Sequence, residues 1–135
     1  MVNTIKLEIA TPEALVYAGD VEMVTLPGIE GQLGALPQHV RLMTQMVSGE
    51  MIIRVNGQDE VMAVGEGLVE VTNERISIAT NMAVAADKID EAAAEEARQR
   101  AATRLKEKLS SEEVASVNAS LAHALTQLRV KRRHH

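Results

Sequence analysis

The spacing of apolar residues changes once along this chain, close to residue 88. Before that point apolar and polar residues alternate, as with Ile5, Leu7 and Ile9 around Lys6 and Glu8. A repeat of two places one set of side chains on one face of a β-strand. After it, Ala93, Ala97, Ala101, Leu105 and Leu109 recur every fourth residue, within a stretch from Asp90 to Leu109 that is rich in Ala and free of Gly and Pro. That is the period and the composition of an α-helix. One switch of this kind divides the chain into a sheet domain, residues 1–87, and a helical appendage, residues 88–135. A length of 135 residues suits that division, with room for one sizeable core and an appendage but not for two large cores.

Strand candidates in the first part are Ile5–Ile9, Leu15–Tyr17, Glu22–Leu26, Met51–Val55, Glu60–Val64, Leu68–Val71 and Arg75–Thr80. Thr11-Pro12-Glu13 breaks the first run. Asn56-Gly57 separates two others, and this pair favours a type I′ hairpin because both central residues need positive φ. Thr72-Asn73-Glu74 marks a second hairpin. Pro27 to Gln38 holds several Gly and Pro residues and reads as a structured loop. Short strands with closely spaced turns predict an all-β sandwich or barrel of antiparallel strands.

The second part predicts two helices. Asp90 is placed to cap the first, with Glu91 and Glu95 at the positive end of its dipole. Ser110-Ser111-Glu112-Glu113 then supplies a break and a capping box, Ser110 as N-cap and Glu113 three residues on. A second helix to about Val130 carries Val114, Val117, Leu121, Leu125 and Leu128 on one face. Each stripe is too narrow for a core of its own. The two helices therefore form a hairpin that packs on itself and on something else.

Tyr17 is the single aromatic residue, so the core is built from Val, Ile, Leu, Met and Ala, and the seven Met read as core filler. The absence of Cys removes disulfides, thiolate metal sites and Cys nucleophiles. No run approaches the roughly 18 apolar residues of a membrane helix, and the first nine residues lack the pattern of a targeting signal. Membrane association is therefore expected only through partner proteins. Residues 1–87 carry four basic and twelve acidic side chains, and residues 88–135 carry ten basic and seven acidic. The two parts face different surroundings.

No phosphate-loop lysine motif, dinucleotide glycine motif, HExxH, GxSxG or metal-ligand spacing occurs, so catalytic and metal residues are expected to be none. Gly65-Glu66-Gly67 opens a strand and reads as a turn or bulge. His39, in the glycine-rich loop, has no second ligand nearby and reads as a hydrogen-bonded structural residue; His123 reads as helix surface, and His134 and His135 as tail or tag. Arg129, Lys131, Arg132 and Arg133 cluster at a helix C-terminus. They suit either the helix dipole or an acidic partner protein. Nucleic acid fits poorly, because the chain is acidic overall and lacks aromatics for base stacking.

The run Glu22-Met23-Val24-Thr25-Leu26-Pro27 followed by Gly28-Ile29-Glu30-Gly31-Gln32-Leu33-Gly34 and Leu36-Pro37-Gln38-His39 resembles the ε subunit family of F-type rotary ATP synthases, called δ in mitochondria. It matches the family's strand, acidic G-x-L-G turn and Leu-Pro-x-His. Gly65-Glu66-Gly67-Leu68-Val69-Glu70-Val71 is similar to the family's Gly-Gly-apolar-apolar-Glu-Val segment, Ile89-Asp90 to its hairpin opening, and Leu125-Thr126-Gln127-Leu128-Arg129-Val130 to its close. The resemblance runs in order along nearly the whole chain.

That resemblance implies a ten-stranded β-sandwich followed by a helical hairpin. It implies a non-catalytic central-stalk subunit without cofactors, peripheral on the cytoplasmic face of a bacterial plasma membrane or its equivalent. Its implied partners are the γ subunit, the c-ring, and the β and α subunits. Glu30, Gly31, Gln32 and His39 fall in the stretch that in the family faces γ and the c-ring. The implied switch has the hairpin permissive when folded on the sandwich and inhibitory to ATP hydrolysis when extended along γ. Its basic residues then face an acidic β-subunit segment; here they are Arg98, Arg100, Arg104, Lys106, Lys108 and Arg129.

Two departures stand out. Arg41 occupies a position where family members often carry Pro. Some relatives bind ATP through Ile-Asp-x-x-Arg-Ala and further arginines; Asp90 and Arg100 match, but Ala93, His123 and Gln127 stand where those relatives have Arg. Losing three charge-assisted contacts, each worth about 1.5–3 kcal/mol, predicts weak or absent ATP binding. From other function classes, the same architecture suits a stand-alone sandwich adaptor with a helical docking arm, or a nucleotide-sensing module.

Overall fold

The computed structural model describes residues 3–37 and 41–134. Ten strands come first: β1 Ile5–Ala10, β2 Leu15–Val21, β3 Met23–Gly28, β4 Gly31–Ala35, β5 Leu42–Met46, β6 Gly49–Val55, β7 Gln58–Val64, β8 Gly67–Val71, β9 Arg75–Thr80 and β10 Ala83–Ala85. A 3₁₀ turn, Ala86–Lys88, leads into α1 Glu91–Arg104 and α2 Ser111–Arg133.

The strands join in the order β10-β7-β6-β3-β5-β8-β9-β1-β2, with β4 paired to β3. The link from β3 to β5 rests on one residue pair, Gly28 with Met46. There the sheet folds over to make two layers around one core. Inward positions alternate along each strand, as with Ile5, Leu7 and Ile9 of β1 and Ile76 and Ile78 of β9, and all are essentially inaccessible to solvent. Met46, Met51 and Met62 fill the same core, the role a chain without Phe or Trp needs them for. The pairing is antiparallel except between β1 and β9, which run parallel from Lys6 with Arg75 to Ala10 with Ala79.

The turns follow their chemistry. Asn56 and Gly57 have φ of 53° and 74°, as a type I′ turn requires, and bring Val55 opposite Gln58. At the second hairpin the Thr72 hydroxyl accepts from the Glu74 and Arg75 amides, at 3.2 and 3.1 Å. The expected loop from Pro27 to Gln38 is instead mostly a hairpin, β3 to β4, whose two-residue tip Ile29–Glu30 is closed by Gly28 opposite Gly31. Turn residues at both ends concealed a strand only five residues long. β5 and the three-residue β10 also went unanticipated, because neither alternates clearly between apolar and polar residues.

β7 departs from alternation for a physical reason. Met62 and Val64 point into the core, while Ala63 between them is buried on the other side with Met82, Ile89 and Val130. A strand covered on both faces reads as a continuous apolar run. Here α2 provides the second cover.

Replacing Ile53, fully buried on β6, with Ala is expected to cost about 2–5 kcal/mol in urea denaturation of the chain. Met43→Ala on the outer face of β5, where Met43 is 67% exposed, is expected to fall within about 0.5 kcal/mol of the parent. Equal losses would contradict this division into inner and outer positions.

Candidate functional site

The hairpin tip at β3–β4 projects Glu30, Gly31 and Gln32 into solvent, with Ile29 57% exposed beside them. Its shape is set by backbone. Gly31 adopts φ of 117°, a conformation that side chains disfavour. The Ile29 amide donates to the Gln45 carbonyl at 3.0 Å, and the Val47 amide to the Pro27 carbonyl at 2.8 Å. The tip is thus tied to β5 on its flank. His39, expected beside it, lies outside the described residues.

The outer face of β2-β1-β9-β8-β5 carries a feature that the sequence reading missed. Leu15, Ala10, Ala79 and Leu68 follow one another across neighbouring strands through successive register pairs. With Met43 they line a shallow apolar groove bordered by Glu8 and Glu70. Leu15 is 61% and Leu68 55% exposed. The signal was present: Leu68 shares its parity along β8 with Glu70, so alternation assigns it to the solvent face.

The helical hairpin begins as its caps predict. The Asp90 carboxylate accepts the Ala93 amide at 3.0 Å. At α2 the Ser110 hydroxyl accepts the Glu113 amide at 3.2 Å while Glu113 Oε1 accepts the Ser110 amide at 3.3 Å, completing the capping box. That Ser110 amide, with the Ser110 hydroxyl and Arg104 adding to it, holds the Glu113 carboxyl below the ordinary carboxylate value. α1 stops at Arg104 rather than running to Leu109. The Lys106 and Glu107 amides turn back to the Thr103 and Arg104 carbonyls, at 3.1 and 3.0 Å, and tighten the chain for its reversal.

The buried faces differ from the expected stripes. On α1 they are Ala94 and Ala101, with Ala93 exposed; on α2 they are Val117, Ala124, Thr126, Leu128 and Val130, with Val114 and Leu125 exposed. α2 faces two neighbours, α1 and the sandwich, so its contact surface is wider than one stripe and rotated toward small residues. It also runs on to Arg133. His123, expected on the free surface, is half-buried, its Nε2 3.4 Å from where a Cβ on Gly65 of the sandwich would sit.

Among the described residues the opposite charges of hairpin and sandwich meet at few points, because several hairpin cations pair within the hairpin and others face solvent. Arg98 bonds Glu95, and this holds the Glu95 carboxyl down, with help from Gln99 and Arg132. Arg104 is 3.4 Å from Glu113 across the two helices. Arg132 reaches Glu91 at 2.9 Å and Glu95 at 3.5 Å. Arg100, Lys106, Lys108 and Arg129 are exposed and make no ion pair among the described residues. Among the described residues only the end of α2 reaches the sandwich with charge: Arg133 and His134 meet Glu50 of β6, so His134 is no loose tail.

The two nucleotide candidates are not brought together. The Asp90 carboxylate is engaged as the α1 cap, and Arg100 stands ten residues along that helix, about 15 Å away by helical rise. No group of three or more acidic, His or Cys side chains fit to hold a metal occurs among the described residues. Among them, also, no helix is long and apolar enough to cross a membrane.

Comparison with known proteins accounts for both parts of the fold. Residues 4–86 match the family described as ATP synthase, Delta/Epsilon chain, beta-sandwich domain. Residues 87–132 match the companion long alpha-helix domain. The ATP synthase epsilon chain of Laribacter hongkongensis is 37% identical over 129 residues, covering 94% of this chain and 92% of that one. The epsilon chain of Halorhodospira halophila is 38% identical over 129 residues with the same coverage. The fold is also similar to a chain of the Euglena gracilis mitochondrial ATP synthase, solved as OSCP/F1/c-ring in rotational state 1. The TM-score there is 0.72 at 18% identity, covering 98% of this chain and 82% of that one.

Two outcomes are expected. Calorimetry with Mg-ATP should detect no binding tighter than millimolar, about −4 kcal/mol; a micromolar constant would show that other arginines serve. Glu95 and Glu113 hold their protons less tightly in the fold than the ordinary carboxylate value of 4.5. Their contribution is therefore complete above that value and is lost as pH falls through and below it. Far-UV circular dichroism should show hairpin helicity declining below pH 4.5, with less of that decline in Ser110→Ala. An identical acid profile in the variant would contradict the role given to the capping box.

Proposed function

The chain belongs to the ATP synthase delta/epsilon family, as a non-catalytic epsilon-type subunit, and we propose that it links the rotating stalk to the c-ring and restrains ATP hydrolysis through its hairpin. On this reading the sandwich docks at the foot of the stalk. The Glu30–Gln32 tip, with His39, faces γ and the c-ring. The complex holds the chain peripherally on the cytoplasmic face of the membrane as part of its F1 sector.

The observation that carries the proposal is the unequal use of the two outer faces. α2 covers the face at β7, while the face crossing β2-β1-β9-β8-β5 keeps an exposed apolar row. An open apolar row on a subunit of a larger assembly suits burial against a partner. The hairpin meanwhile rests on the sandwich through one small apolar cluster and a short charged end. Its outward cations Arg100, Lys106, Lys108 and Arg129, together with Arg98 and Arg104 once freed from their partners, suit an acidic segment of a β subunit in an extended state. Two states within a few kcal/mol of each other let a partner's contacts decide between them.

Removing residues 88–135 is expected to leave a sandwich, residues 1–87, that folds and assembles, with ATP hydrolysis by the purified complex rising. Replacing Arg98, Arg100 and Arg104 together by Gln should reproduce part of the rise, since exposed pairs contribute only ~0–1 kcal/mol each. Unchanged hydrolysis after the deletion would remove the inhibitory role. Charge reversal at Glu30, or replacement of His39, should lower recovery of assembled complex and proton pumping while the isolated chain stays folded. Normal recovery in both would move the rotor contact elsewhere.

A further inference from the structure

Where α2 crosses the sandwich, Val130 is buried among Ala63, Met82 and Ile89. The turn that follows closes on a single carboxylate. Glu50, the second residue of β6, keeps only 16% of its side chain exposed. Arg133 Nη1 lies 4.0 Å from Glu50 Oε2, and His134 Nε2 hydrogen-bonds Oε1. Beside them Lys131 Nζ donates to the Ala86 carbonyl at 3.3 Å. Among the described residues these are the only side-chain polar contacts that join the hairpin to the rest of the chain.

Among the described residues no other cation pairs with Glu50. β3 and β10, which flank β6 and β7, have no charged residue. The acidic residues of β7 lie at its far end, Asp59 on Arg54 and Glu60 beside Tyr17. Asp87 and Lys88 of the 3₁₀ turn are exposed. A half-buried carboxylate facing one helix end has its partners chosen for it.

We propose that Glu50 is the anchor of a latch, formed with Arg133 and His134, that holds the hairpin on the sandwich, so that the hairpin is released from the C-terminal end of α2. This rests on reading the hairpin as a movable arm. It places control at the last turn of α2 and not at the cations of α1, of which Arg98 and Arg104 pair inside the hairpin and Arg100 faces solvent, so that all three travel with it. The apolar seat contributes whether or not the latch is closed, so the latch sets how often the arm lifts. Because its partners are partly exposed, salt weakens it.

The chain has no Cys, which makes a direct test available. In full-length chain carrying Val130→Cys, the thiol meets a neutral maleimide only when the end of α2 lifts. Glu50→Gln should speed labelling roughly five- to tenfold, and Arg133→Gln with His134→Gln should do the same. Added salt should speed the parent but not the Glu50→Gln variant. Arg54→Gln, which breaks an ion pair on the same strand away from the hairpin, should change nothing. Hydrogen exchange at the Ala63 and Val64 amides, without the engineered thiol, should rank the proteins identically. Equal rates in parent and Glu50→Gln by both methods, or an equal acceleration by Arg54→Gln, overturns the latch. Neither readout involves ATP hydrolysis, so the latch and the inhibitory role stand or fall separately.

Discussion

The two-sided burial of β7 is the constraint on which the rest of the structure depends. Met62 and Val64 belong to the sandwich core, and Ala63 belongs to the seat of α2. A larger residue at 63 would hold the helix away; a polar one would be buried without a partner. The helical part is therefore not simply appended to the sandwich. It completes the covering of one strand, and that strand ties the hairpin's position to the integrity of the core.

Much of this was legible in the sequence. Alternation located the long strands, Asn56-Gly57 fixed a turn, and Asp90 and Ser110 marked both helix starts, because each of these signals acts over a few residues. What escaped depends on residues far apart in the chain. The β3–β4 hairpin needs the β5 backbone beside it, and its short strands look like turn. The helix faces were misjudged because a periodic stripe says where apolar residues lie, not how many neighbours a helix has. Glu30, Gly31 and Gln32 became candidates through a motif, and the fold places them at an exposed hairpin tip. Leu15, Leu68 and Glu50 did not, since exposure and pairing across the chain decide their surroundings.

Charge is organised differently from what net values suggest. The two parts differ in sign, yet among the described residues their attraction is spent at one point, while Glu91, Glu95 and Glu113 pair with Arg98, Arg104 and Arg132 inside the hairpin. Ion pairs between the two helices brace the hairpin as one body, independently of its seat on the sandwich. The same arrangement lets the arm be held weakly without being floppy. Weak holding is what the proposed regulatory role requires.

The parallel pairing of β1 with β9 has a consequence for how the chain is made. β1 lies between β2 and β9, so one of its neighbours emerges from the ribosome immediately after it and the other only some seventy residues later. The first strand synthesised waits, with one edge open, for nearly the last strand of the sandwich. Until β9 arrives, Leu7 and Ile9 lack much of their packing, and the apolar core is unfinished. The hairpin, translated after the sandwich, meets strands that are already closed. A nascent chain stalled before β9 would expose a strand edge and would be a target for chaperones, whereas one stalled after β10 would already possess a closed sandwich.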